Sequence, residues 1–225
     1  MVRASLAGPV ACVLLLVAGF VDAIAFVFLN GNFVSFMSGN TTVLGAAPSR
    51  GLWSEAALCM TLIVLFFCGV LGGSVYNRRT RRSPVPMLGL VTLGLALAAV
   101  VAELGAGTAA MLIVTVAAGL INTVFERDHL RHGLTYVTGT LVSAARQLAD
   151  AVTAEPGERN HRAWLASIGM WFLLALGAVA GGFAYRWIAL GALYIPVALL
   201  AVALLAVGLL SGTINGPPDT GSVIT

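Results

Sequence analysis

Six long apolar runs, at 10–29, 55–76, 85–101, 108–125, 163–185 and 190–210, are separated by short polar or glycine-rich stretches. A helix that crosses a bilayer needs about 20 mostly apolar residues, and each run comes near or exceeds that. Two further segments, 33–47 and 134–151, break the pattern. The first mixes Ser35, Ser38, Asn40, Thr41 and Thr42 into its apolar residues, and the second carries Arg146, Gln147 and Asp150. As a helix the first would extend about 22 Å, short of the roughly 30 Å hydrocarbon core. Neither reads as an ordinary lipid-facing helix. The pattern therefore predicts an all-α polytopic membrane protein with six crossing helices and two short re-entrant or broken segments.

The pattern also occurs twice. Gly19-Phe20-Val21-Asp22 and Gly119-Leu120-Ile121-Asn122 stand one hundred residues apart. Phe36-Met37-Ser38-Gly39-Asn40 aligns with Tyr136-Val137-Thr138-Gly139-Thr140 at the same offset. Gly72-Gly73-Ser74-Val75-Tyr76 resembles Gly181-Gly182-Phe183-Ala184-Tyr185 at an offset of 109. A single transmembrane domain, 1–225, is expected to hold repeats at 9–104 and 107–211, with a disordered Gly/Pro/Ser/Thr-rich tail at 212–225. A duplicated polar, glycine-rich break inside a membrane protein is a pointer to a transport path.

Composition agrees. The chain is 59% apolar and 9% charged over 225 residues, with a mean hydropathy of +0.98, whereas soluble domains carry about 25% charged residues. All 12 basic residues are Arg and the net charge is +3, so they read as topology signals rather than as a nucleic-acid footprint. Arg78, Arg79, Arg81 and Arg82 directly follow a span, as a cytoplasmic anchor does, with anionic lipid contact as a weaker addition. If the two short segments do not cross, ten Arg fall on that side and only Arg50 and Arg186 on the other. If they do cross, the split is seven to five. The stronger bias favours six crossings, cytoplasmic termini and two halves inverted relative to each other. The first 23 residues resemble a signal peptide, but the apolar run continues to Leu29 and holds the first repeat, which argues against cleavage. Cys12, Cys59 and Cys68 lie in spans without metal-ligand spacing and read as small packing residues.

Asp22 is the sharpest candidate. A carboxylate at the centre of a spanning helix costs about 2.5–3.5 kcal/mol, and such residues face a cavity or a partner and mark ion or proton paths. It is either a proton- or cation-binding carboxylate or a structural acid that caps backbone freed by the nearby break. Asn122 keeps the hydrogen-bonding shape in the second copy without the charge. Ser38-Gly39-Asn40 and Thr138-Gly139-Thr140 read as helix starts, with N-capping side chains and a permissive Gly. Two inward-facing helix N-termini would favour an anionic group. The competing reading is close packing through small residues. The Gly72-Gly73 and Gly181-Gly182 pairs fit such packing, and Tyr76 and Tyr185 suit the membrane interface. His129 and His132 read as a solvated face rather than a metal pair. Arg146 and Asp150 form an i, i+4 pair, as a surface bridge or in a wet crevice. Asn40-Thr41-Thr42 matches a glycosylation sequon at a depth where modification is not expected. The sequence holds no phosphate-binding loop, zinc motif or nucleophile elbow, so neither an enzyme, a cofactor nor a metal is expected.

Gly19-Phe20-Val21-Asp22-Ala23, the block from Phe36 to Gly45, and Thr135-Tyr136-Val137-Thr138-Gly139-Thr140-Leu141 resemble the YoaK family of bacterial membrane proteins. The family is defined by a domain of unknown function. The resemblance implies a multi-pass, permease-like inner-membrane protein, and brings no substrate or catalytic residue. The family pattern has Gly-x-Gln-Asn-Ala where this chain has Gly119-Leu120-Ile121-Asn122-Thr123, and a basic pair where it has Glu126-Arg127. A role resting on that Gln or that pair does not carry over.

The expectation is a small secondary transporter or permease of unknown substrate, coupled to protons or cations through Asp22. Asn122, Ser38, Gly39, Asn40, Thr138, Gly139 and Thr140 would line its site. The alternative is a non-transporting membrane assembly or sensory protein. The expected partners are the lipid bilayer and a small molecule or ion, without nucleic acid. The shortness of the chain leaves a homodimer open.

Overall fold

The computed structural model describes residues 2–80, 84–125, 136–153 and 163–214. Arg81, Arg82, Glu126, Arg127, His129, Arg131, His132, Thr135, Arg159, Arg162 and the tail from 215 onward lie outside these. Among the described residues every regular element is helical. The order is α1 (Val2–Phe28), α2 (Met37–Ala46), α3 (Trp53–Arg79), α4 (Val85–Glu103), α5 (Gly107–Ile121), α6 (Val137–Thr153), α7 (Ala163–Ile188) and α8 (Tyr194–Ile214). Short 3-10 turns, Ala47–Arg50 and Ala189–Leu193, lead into α3 and α8.

The ends follow local chemistry. Gly51 (φ 73°) and Gly105 (φ 82°) supply left-handed residues after the first 3-10 turn and α4, conformations that cost glycine little. Pro86 occupies the first turn of α4, where its missing N–H is not needed. Four apolar helical runs are long enough to cross a membrane: Gly8–Phe28, Trp53–Arg79, Val85–Glu103 and Ala163–Leu209. The last run contains two helices, because Ala189 takes φ 47° at the turn between α7 and α8. Helix α5 is a shorter apolar helix of 15 residues. The apolar run at 108–125 predicts a longer one. It stops at Ile121 because side chains take up carbonyls there: Asn122 Nδ2 donates to Ala118 O at 3.0 Å and Thr123 Oγ1 to Leu120 O at 2.8 Å. Asn77 Nδ2, from the end of α3, then donates to Thr123 O at 2.7 Å.

Helices α1 and α5 carry much of the buried core. Leu14, Val17, Val21 and Ile24 of α1, Met111, Val114 and Ile121 of α5, Leu88 and Leu95 of α4 and Leu200 of α8 form one continuous core. The outer surface is also apolar: Phe67 and Leu71 on α3, Leu93 and Leu97 on α4, Phe172 and Leu176 on α7, and Val202 and Leu205 on α8 are exposed. An apolar exterior over four helices suits contact with lipid.

Lipid gives apolar helices no reason to hide from solvent, so close backbone approach has to hold them together. Two glycine seams supply it. Between α1 and α7, a Cβ at Gly19 would fall on the Leu174 carbonyl, one at Gly177 on the Leu16 carbonyl, and one at Gly181 on the Phe20 carbonyl. Between α3 and α5, Gly69 meets the Val116 carbonyl and Gly119 the Phe66 carbonyl, while Gly73 meets the Thr123 side chain. Of the pairs Gly72-Gly73 and Gly181-Gly182, therefore, only Gly73 and Gly181 lie in a seam. Gly72 and Gly182 face open space. Gly177→Leu should lower thermal stability in detergent by about 1–3 kcal/mol through overpacking, whereas Gly182→Leu should leave it nearly unchanged. Equal losses in the two variants would contradict the seam.

Candidate functional site

The segment 29–36 between α1 and α2 is an irregular, partly buried stretch, as is the turn 122–125 after α5. Helix α1 ends on a left-handed pair, Asn30 (φ 53°) and Gly31 (φ 105°). Gly31 N donates to Phe26 O at 2.8 Å, closing the helix end in the manner of a glycine C-cap. The chain then turns back along α1. Val34 N and Ser35 N donate to Asp22 Oδ1 at 2.9 and 2.7 Å, and Ser35 Oγ donates to Asp22 Oδ2 at 2.6 Å. Asp22 lies six residues before the end of α1, so the chain returns by about 9 Å before α2 begins.

Two other side chains, Asn40 and Asn32, complete the backbone pairing. Asn40, fully buried, binds both polar groups of Phe33: Phe33 N donates to Asn40 Oδ1 at 2.9 Å, and Asn40 Nδ2 donates to Phe33 O at 2.7 Å. Buried Asn32 donates to Leu29 O at 2.9 Å and accepts from Cys59 Sγ at 2.8 Å. Cys59 is thus a hydrogen-bond donor as well as a packing residue, while Cys12 and Cys68 are exposed. Backbone at this depth cannot bond to lipid, and every such group needs a partner within the protein.

The returned segment walls a cavity of about 570 Å³, within the 300–1,000 Å³ range of small-molecule sites. Helix α1 contributes Asp22 and Phe26, the segment Phe33, Ser35 and Phe36, α6 Thr138 and Leu141, and α7 Trp171 and Leu174. Asp22 is half-buried and opens onto this space. The rings pack on each other, with centroids 5.2 Å apart for Phe26–Phe33 and 5.1 Å for Phe33–Phe36. Most of the wall is apolar.

The cavity brings together some of the expected site residues and not others. Asp22 and Thr138 line it; Ser38, Gly39, Asn40, Asn122, Gly139 and Thr140 do not. Ser38 is exposed on α2. Gly39 and Gly139 lie under the Phe36 and Tyr136 rings, which leave no room for a Cβ. Asn122 acts at the end of α5, and Thr140 Oγ1 donates back to Tyr136 O at 2.9 Å. Ser38 and Asn40 do not cap α2 either. Phe36 is its N-cap and makes no side-chain cap bond. Thr41 and Thr42 bond instead to the Met37 and Ser38 carbonyls. The anion at this end comes from Asp22, through the preceding backbone. Arg146 and Asp150 are exposed on α6, and across the α6–α7 contact Ser167 Oγ donates to Gln147 Oε1 at 2.9 Å. Of the other residues at the cavity or its wall, Ser35 is marked in the sequence by polarity near an intramembrane acid and Phe36 by the duplicated block, whereas Asn32, Phe26, Phe33 and Trp171 carry no motif.

By fold and surface this is a multi-pass helical membrane protein with an acidic, aromatic-walled cavity. It belongs to the family described as "Protein of unknown function (DUF1275)", which matches residues 10–206 and of which the YoaK family is a member. It is 31% identical over 180 residues to the UPF0700 transmembrane protein RA0705 of Rhizobium meliloti (strain 1021), covering 80% of this chain and 76% of that one. No solved structure matches it.

Asn40→Ala would leave both Phe33 backbone groups buried without partners, at about 1–3 kcal/mol each. The variant should melt well below the wild type in detergent, and Ser38→Ala, exposed on the same helix, should not. An unchanged melting temperature for Asn40→Ala would contradict this role.

Proposed function

We propose that this protein is a small secondary transporter or permease of the bacterial inner membrane, with six crossings, cytoplasmic termini and inverted halves. The observation that carries the reading is the cavity at Asp22, where an intramembrane carboxylate both lines the space and holds its wall in place. Intramembrane acids that face a cavity mark substrate or proton paths.

The packing supports a repeat whose halves exchange by a two-fold relation. Exchanging the halves pairs α1 with α5, α2 with α6, α3 with α7 and α4 with α8. The contacts of α1 with α7, α2 with α3 and α4 with α5 then become those of α5 with α3, α6 with α7 and α8 with α1, all of which occur. The seams obey the same exchange. Gly19 and Gly119 differ by 100, and Gly69 and Gly73 stand 108 before Gly177 and Gly181. The contacts favour 108 as the offset of this block over the 109 read from sequence.

Because each seam joins a helix of one half to a helix of the other, the moving bodies are not the two sequence halves. One body is α1 with α6 and α7, and the other is α3 with α2 and α5. Asp22 of the first body holds the segment leading into the second. Three donors converge on its two oxygens, an arrangement that suits the anion. A protonated carboxyl loses acceptor capacity and gains a donor, so proton uptake would loosen the tie between the bodies and couple protonation to alternating access. The same hydrogen bonds also favour a second reading, in which Asp22 is only a structural clamp in a non-transporting assembly or sensory protein.

Single cysteines at Ser49 and Thr153, with Cys12, Cys59 and Cys68 replaced by Ser, should react differently with an impermeant thiol reagent on intact cells. Labelling of the Ser49 position alone is expected, and labelling of both would sink the inverted arrangement. In proteoliposomes, a small molecule that raises the melting temperature should also move protons when added. Asp22→Asn should abolish that movement while sparing substrate exchange, and Thr138→Trp should block both. Unaltered proton movement in Asp22→Asn removes the coupling. Loss of protein abundance alone, with flux per molecule intact, returns Asp22 to the structural role.

A further inference from the structure

The cavity also carries information about what it holds. Its one ionisable wall residue is Asp22, and no Arg, Lys or His lines it among the described residues. Four aromatic side chains, Phe26, Phe33, Phe36 and Trp171, line the same cavity as Asp22. Aromatic faces carry negative partial charge and attract cations that lie over them, most strongly away from water. A carboxylate has about four acceptor positions, and Val34, Ser35 N and Ser35 Oγ fill three. When the group is ionised its charge remains to be matched, but little hydrogen-bonding capacity does. A strongly hydrated inorganic cation would find too few oxygen ligands in such a wall. A bulky cation whose charge is spread under apolar groups needs none.

The helix ends push the other way, since an N-terminus carries about half a positive charge. At α2 that charge is already matched by Asp22 through the backbone of 34 and 35. At α6, Val137 and Thr138 line the cavity, and this end shares it with the Asp22 carboxyl and the four aromatic side chains. We infer that the cavity is a binding site for a lipophilic organic cation, with Asp22 as counter-ion and Phe26, Phe33, Phe36 and Trp171 as an aromatic cage. Proton and cation then compete for one carboxylate, and binding weakens on acidification. This rests on the transport reading only for the site's purpose, and binding can be measured without flux.

The test uses radiolabelled tetraphenylphosphonium on the full chain in detergent, with tetraphenylborate as an anion of the same shape. Saturable binding of about one cation per protein is expected, without competition from tetraphenylborate. Affinity should fall at least about tenfold in Asp22→Asn, by about 1.4 kcal/mol per decade, and should drop on moving from pH 8 to pH 5. Trp171→Leu keeps the carboxylate and its clamp, and should weaken binding several-fold with the pH dependence retained. Equal binding of cation and anion, or full affinity in folded Asp22→Asn, would overturn the inference. If a neutral or anionic solute is instead carried in proteoliposomes, the cation site fails and the permease stands. If the cation binds but no flux occurs, the site stands and the permease fails.

Discussion

Within hydrocarbon, a peptide group that leaves a helix must find its partner inside the protein. That constraint organises this chain at 29–36. Eight residues pass out of α1, reverse, and return along it, and three side chains meet their peptide groups: Asp22, Asn32 and Asn40. Without Asp22 and Asn40 the segment would have no reason to turn inward, and α2 no fixed point from which to start. The cavity exists because this return holds Phe33, Ser35 and Phe36 away from α6 and α7.

The same return explains how an expensive residue is tolerated. An acid in the middle of a helix is costly in lipid, but Asp22 receives two backbone N–H groups and a hydroxyl at 2.6–2.9 Å. Charge-assisted bonds of this kind are about twice as strong as neutral ones. The clamp and the site are therefore one group. Asp22 thus holds the returned segment to α1 and faces the cavity that the segment walls.

The glycine seams do for the helices what Asp22 does for the segment. Neither seam is stabilised mainly by hiding apolar surface, since α1, α3, α5 and α7 are apolar runs. Contact of backbone with backbone at Gly19, Gly177 and Gly181, and again at Gly69 and Gly119, selects which helices meet and in which register. Each seam joins a helix from the first half of the sequence to one from the second.

The sequence by itself determined the all-helical membrane class, the positions of most apolar helices, the duplicated blocks and the importance of Asp22. These rest on run length, composition and a rare charge, all of which are local or counted. It foresaw the broken segment at 33–47 but placed Ser38 and Asn40 at a site, whereas one is exposed and the other is spent on Phe33. It assigned Gly72 and Gly182 to packing when their neighbours do that work. Only the tertiary structure decided these points. In a soluble helix the polar stripe shows which face is outside, but here core and lipid faces are both apolar and the sequence does not distinguish them. The partners of Asp22, at 12 and 13 residues' distance, and the placing of Trp171 and Phe26 on one cavity are non-local, and they follow from how the helices close on one another.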